Sequence, residues 1–167
     1  MPSTKEDFLE MLTNYQGILH KVSLVYFRSR HDREDNLQEI VYQLWKSYPT
    51  LKHQHSVGSW IYAVAINTSI SRIRKSSRID YRERMPELTE PSNFEEQLIK
   101  NESLQLLIRA IQVLDEMDKA IMLLYLEEKR YEEIAEITGI TKSNVGVRIN
   151  RAKEILKQNL KGLSHGK

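Results

Sequence analysis

Apolar residues in this chain recur at intervals of three and four rather than in alternation, and that spacing restricts it to packed helices. Phe8, Leu12, Tyr15, Leu19, Val22 and Tyr26 form one such stripe. Leu37, Ile40, Val41, Leu44 and Trp45 form a second, and Trp60, Ile61, Val64, Ala65 and Ile73 a third. Only 4 Pro and 6 Gly interrupt 167 residues, so the helical runs are long. An all-α chain is expected, of a length that suits one ordinary domain or two small ones.

The pattern predicts helices over Phe8–Tyr26, Asp35–Tyr48 and Trp60–Ser77, with a polar turn at Ser29–Arg33 and a loop at Pro49–Ser59. Pro49 lacks the N–H that would continue the second helix. Residues Arg82 to Asn93 hold two prolines, many charges and almost no aliphatic side chains, which reads as a linker. Helices are expected again over Phe94–Leu114, Asp118–Leu126, Tyr131–Thr138 and Thr141–Leu160. The chain therefore divides into a domain at 1–81, a linker at 82–93 and a second domain at 94–167.

The last two of these helices carry the clearest functional signal. Ile134, Ala135 and Ile137 give the first an apolar face, and Gly139 supplies the left-handed residue that a sharp helix exit needs. Thr141 can cap the second helix with its hydroxyl. Val145, Ile149, Ala152 and Leu156 face a core, while Arg148, Arg151 and Lys153 lie on other faces. Two short helices around a Gly-containing turn, the second one basic, form the geometry that enters the major groove of DNA. A helical hairpin with a merely solvated basic face is the plainer alternative.

Charge distribution favours the DNA reading. The net charge is only +2, yet Arg72 to Arg84 carries six basic and two acidic residues, and Thr141 to Lys161 carries six basic and one acidic. Two basic patches on an otherwise acidic chain suit two separate phosphate contacts. The absence of cysteine excludes disulfides, thiolate metal sites and thiol nucleophiles. No apolar run approaches the ~20 residues of a membrane span, and no signal segment is legible at the N-terminus. A soluble cytoplasmic protein without membrane insertion is expected. No glycine loop for phosphate, no nucleophile elbow and no paired-carboxylate site is present, so neither an enzyme nor a bound cofactor is expected. His53 and His55 form a His-x-His pair with no third ligand nearby in sequence, and read as loop imidazoles rather than a metal site.

In order along the chain stand Asp35-Asn-Leu-Gln38-Glu39-Ile-Val-Tyr-Gln-Leu-Trp45, Trp60-Ile-Tyr-Ala-Val-Ala-Ile-Asn67 with a basic tail, a linker, Tyr131-Glu-Glu-Ile-Ala-Glu, and Asn144-Val145 to Arg151-Ala152. In that order they resemble the extracytoplasmic-function class of the sigma-70 family, the promoter-specificity subunits of bacterial RNA polymerase. The resemblance implies partners: core RNA polymerase, promoter DNA and an anti-sigma factor. It implies that Asp35, Gln38 and Glu39 dock on the polymerase, with Trp45 read as a core residue or, if exposed, as an anchor. It implies a −10 contact set of Tyr48, Asn67, Ser71, Arg72, Arg74, Lys75 and Arg78, in which Tyr48 can stack on a base and Asn67 can hydrogen-bond one. A capping or core role for Asn67 stays open. For the −35 duplex it implies Lys142, Ser143, Asn144, Arg148, Asn150 and Arg151, with Arg148 or Arg151 able to grip guanine bidentately. The acidic linker residues Glu83, Glu87 and Glu90 would lie toward the RNA path.

The chain departs from the family pattern at Ser71, Thr138, Gly146 and Val147, and in a longer loop before the third helix. A stand-alone helix-turn-helix regulator with an N-terminal dimerisation domain is the rival reading.

Overall fold

The computed structural model describes residues 5–51, 56–76 and 100–165. Among these it holds seven α-helices, one 3-10 turn and no strand, as the helical spacing requires. The chain divides into two compact units, residues 1–89 and 90–167. Arg78, His53, His55 and the linker segment with Glu83, Glu87 and Glu90 lie outside the described residues. Among the described residues no helix is long and apolar enough to cross a membrane.

The first unit packs α1 (Lys5–Tyr26), α2 (Arg30–Ser47) and α3 (Val57–Ser76) mutually. Val22, Ile40, Leu44, Ile61 and Ala65 are fully buried at the centre, each large side chain contributing about 1.5–3 kcal/mol. A polar tie crosses this core. The buried Asn36 amide donates to Ser23 Oγ (3.0 Å) on α1 and to Ser69 Oγ (2.8 Å) on α3. One residue of α2 thereby fixes the register of both neighbours, since sliding either helix would leave a buried donor unpaired.

Several boundaries differ from the sequence expectation, and three of them bear on how the first unit is built. The segment Ser29–Arg33 is not a turn but the start of α2. Ser29 is its N-cap, its Oγ accepting from the Asp32 N–H at 3.1 Å. Arg33 is buried there, donating to the Phe27 and Arg28 carbonyls just beyond α1. At its other end α2 stops at Ser47, and Pro49 sits in a 3-10 turn, Tyr48–Thr50. The third helix starts at Val57, not Trp60; the Ser56 hydroxyl accepts from the Ser59 N–H at 3.4 Å.

The second unit holds α4 (Glu102–Gln112), α5 (Glu116–Leu126), α6 (Tyr131–Thr138) and α7 (Lys142–His165). Asn101 caps α4 and Asp115 caps α5, each with a side-chain oxygen on the N–H three residues on. Both helices thus have boundaries set by a local cap that apolar periodicity alone does not mark. The long α7 packs against α4, α5 and α6, with Val145, Ile149 and Ala152 fully buried.

The exit of α5 holds a strained residue. Lys129 N–H bonds back to Leu124 O (3.1 Å) and Glu128 N–H to Tyr125 O (3.0 Å), with Glu128 at φ +62°. That bond pattern ordinarily takes glycine at the left-handed position. Glu128→Gly is expected to raise stability by about 0.5–1 kcal/mol, because relief of the left-handed strain exceeds the added chain entropy of glycine. A urea melt with an unchanged or lower midpoint would contradict this.

Candidate nucleic-acid interface

The helix-turn-helix forms as its residues dictate. The first helix, α6, ends at Gly139, φ +81°, whose N–H bonds to Ala135 O at 2.8 Å. Two residues on, Thr141 Oγ1 accepts from the Asn144 N–H at 3.1 Å and starts α7. Thr138, which stands where the family pattern has leucine, donates its hydroxyl to Ile134 O and so fits the last turn of α6. The α7 face carrying Val145, Ile149, Ala152 and Leu156 is buried, which leaves Lys142, Ser143, Asn144, Val147 and Asn150 exposed.

Electrostatics at this site centre on Asp118, which sequence reading placed only as a helix start. Its side chain sits in the first turn of α5 and is 3 % exposed. It accepts from Arg148 Nη1 at 3.0 Å and from Arg151 Nη2 at 2.8 Å. Asp115 lies farther off, at 3.8 and 3.9 Å from the same two groups. Arg148 is 26 % and Arg151 52 % exposed, so the first is a brace and the second still offers an open edge. Hydrogen bonding to Asp118 raises the Arg151 guanidinium above its ordinary value. The available clue was an acidic residue two positions before the apolar run Ala120–Leu124, with two arginines three apart in α7.

The remaining cations are also placed by acids and rings. Lys142 pairs with Glu132 of α6, and that hydrogen bond holds the Glu132 carboxyl below its ordinary range. Lys153 stands 4.5 Å over the Tyr125 ring. Gly146 lies against Tyr131, and a Cβ there would meet the ring at 3.5 Å, an ordinary contact. Packing within the unit does not by itself demand the glycine.

In the first unit a polar cleft of about 390 Å³ opens between α2 and α3. Glu39, Asn67, Ser71, Arg72 and Lys75 line it, so it gathers four of the residues expected at the −10 strand and one expected at the polymerase. Asn67 is exposed and lies on the cleft wall rather than in the core. Arg74 is exposed farther along the same helix. Asp35 holds Arg72 at 3.4 Å and His31 at 3.2 Å. Tyr48 is at the other end of α2, its ring 5.2 Å from Phe8 and 6.4 Å from Trp60.

The docking residues do not share one depression. Gln38 looks onto an apolar groove shared with Leu9, Leu12 and Val41, of about 540 Å³, while Glu39 faces the polar cleft. Trp45 is not in the core, contrary to expectation. It is 46 % exposed, with the Phe8 ring meeting it in a T-shaped contact at a centroid distance of 4.9 Å.

Comparison with known proteins agrees with this geometry. Residues 11–79 match the family described as Sigma-70 region 2, and residues 104–156 match Sigma-70, region 4. RNA polymerase sigma factor SigV of Bacillus subtilis (strain 168) is 28% identical over 160 residues, covering 93% of this chain and 92% of that one. The ECF RNA polymerase sigma-E factor of Escherichia coli (strain K12) is 29% identical over 160 residues, covering 87% and 82%. Among solved structures, the sigma factor RpoE in complex with the anti-sigma factor NepR, from Bartonella quintana, shares the fold with a TM-score of 0.70 at 19% identity, covering 93% of this chain and 98% of that one. With region 2 matched on the three-helix unit and region 4 on the unit that carries the helix-turn-helix, the chain belongs to the sigma-70 family and is an extracytoplasmic-function RNA polymerase sigma factor.

Proposed function

We propose that this sigma factor works by binding alone, with its labour divided between a domain at 1–81 and one at 94–167 joined by a linker at 82–93. The first docks core RNA polymerase through Asp35, Gln38 and Glu39, with Trp45 as the exposed anchor. It holds the −10 strand in the α2–α3 cleft, where Asn67 and Ser71 meet a base and Arg72 and Lys75 track phosphates, with Arg74 and Arg78 adding further phosphate contacts. Tyr48 offers a stacking face at the far end of α2. The second domain reads the −35 duplex with Lys142, Ser143, Asn144, Asn150 and the open edge of Arg151, while Arg148 braces the helix. The observation that carries this reading is the cleft, which brings Glu39, Asn67, Ser71, Arg72 and Lys75 together from two helices.

The neighbouring RpoE structure was solved with an anti-sigma factor, and an anti-sigma partner of this chain would cover the same faces. The site of action is the cytoplasm, beside the polymerase.

Gel filtration with core polymerase tests the reading. The full chain is expected to co-elute, and Gln38→Ala with Glu39→Ala to weaken binding about tenfold or more without loss of helicity. Promoter binding by the complex is expected to fall steeply with salt. Absence of co-elution, with tight binding of the protein alone to a palindromic duplex, would instead support a stand-alone regulator.

A further inference from the structure

We propose that Val147 reads a thymine in the duplex, by packing its isopropyl group on the 5-methyl of the base in the major groove. The inference rests on the −35 reading above and names the chemistry by which that face discriminates. At 100° per residue, Val147 stands about 200° from both Val145 and Ile149, and so opposite the buried stripe. It is 63 % exposed, the most exposed large apolar side chain among the described residues. A β-branched residue gains nothing from helix propensity there, and the described residues of its unit leave most of it open.

Its neighbours on the same face are all polar: Ser143 and Asn144 one turn before, Asn150 and Arg151 one turn after. Gly146 beside it has no side chain, and the Tyr131 ring lies against that position. Arg148, the residue next along, is turned away to Asp118 at 3.0 Å. The centre of the exposed face is therefore a single apolar group ringed by amide and hydroxyl groups. Of the groups that base edges present in the major groove, only the thymine methyl is apolar. Asn144 and Asn150 are then placed to flank that contact with hydrogen bonds to adjacent bases.

The test uses the full chain with core polymerase on a promoter located by mapping transcript starts. Each thymine of the −35 block is replaced in turn by deoxyuridine, which removes the methyl and nothing else. At one or two positions the wild-type complex is expected to bind about fourfold more weakly, the worth of one buried methyl-sized group. Val147→Ala, whose exposed site and better helix propensity keep the melting temperature from falling, is expected to bind the thymine promoter more weakly by a similar factor and to ignore uridine at that position. Indifference of the wild type to every uridine, or undiminished uridine sensitivity in Val147→Ala, would overturn the proposal. A scrambled −35 block that binds as well as the intact one would remove the duplex reading itself, and this inference with it.

Discussion

Asp118→Ala is expected to destabilise the C-terminal unit by about 2–3 kcal/mol and to abolish −35-dependent binding. The carboxylate is buried, and two guanidinium groups converge on it from α7 at 3.0 and 2.8 Å. Removing one partner of a buried ion pair costs more than the pair contributes net, since the other partner keeps its desolvation. Here the cost stays at or below the ~3 kcal/mol floor for a fully buried pair, because both arginines keep partial contact with water and Asp115 lies within 3.8 and 3.9 Å of them. An acidic residue in the first turn of α5 also gains from the helix dipole, and alanine forgoes that too.

Asp118→Asn separates support from charge. It keeps the shape and releases Arg148 and Arg151 to solvent. Non-specific duplex binding should then tighten, and the logarithmic salt slope should steepen by up to about 0.9 for each arginine that gains a phosphate. Binding and salt titrations on specific and scrambled duplexes measure both effects. A variant with wild-type urea midpoint and wild-type salt slope would show that Asp118 does not restrain these arginines.

What could be read from the sequence was what is decided locally. Gly139 and Thr141 announce the helix-turn-helix because a left-handed exit and an N-cap are set within four residues, and both stand where expected. Pro49 likewise bounds α2, within a residue. Ser29 was misread because serine serves turns and N-caps by the same hydrogen bond. Only the burial of Arg33 against the Phe27 carbonyl separates the two uses. The Asp118 brace joins residues 30 and 33 positions apart, and Asn36 ties Ser69 across another 33. Such pairings depend on how helices cross, which periodicity does not encode. The same limit explains Trp45. Its spacing matched the apolar stripe of α2, but the packing leaves it 46 % exposed, with Phe8 in T-shaped contact.

That exposed indole sets up the second large effect. Trp45→Ala is expected to weaken core polymerase binding about thirtyfold or more. Tryptophan dominates interface energetics where its ring enters a desolvated pocket of the partner. Trp45 presents nearly half its surface, and Tyr42, three residues before on the same helix, is exposed beside it. The T-shaped contact with Phe8 helps hold the ring ready, so less side-chain freedom is lost on docking. The same contact means that alanine also lowers the stability of the first unit, by about 0.5–1.5 kcal/mol for the aromatic pair together with the area that Phe8 covers. Trp45→Phe resolves the two. It retains an aromatic partner for Phe8 and so most of the stability, yet removes the indole N–H and the second ring from the outer face. Polymerase affinity should therefore drop well below wild type in Trp45→Phe while the melting temperature stays near it. If affinity instead follows melting temperature through the series Trp, Phe and Ala, the side chain serves the fold, and docking rests on the polar residues of α2 alone.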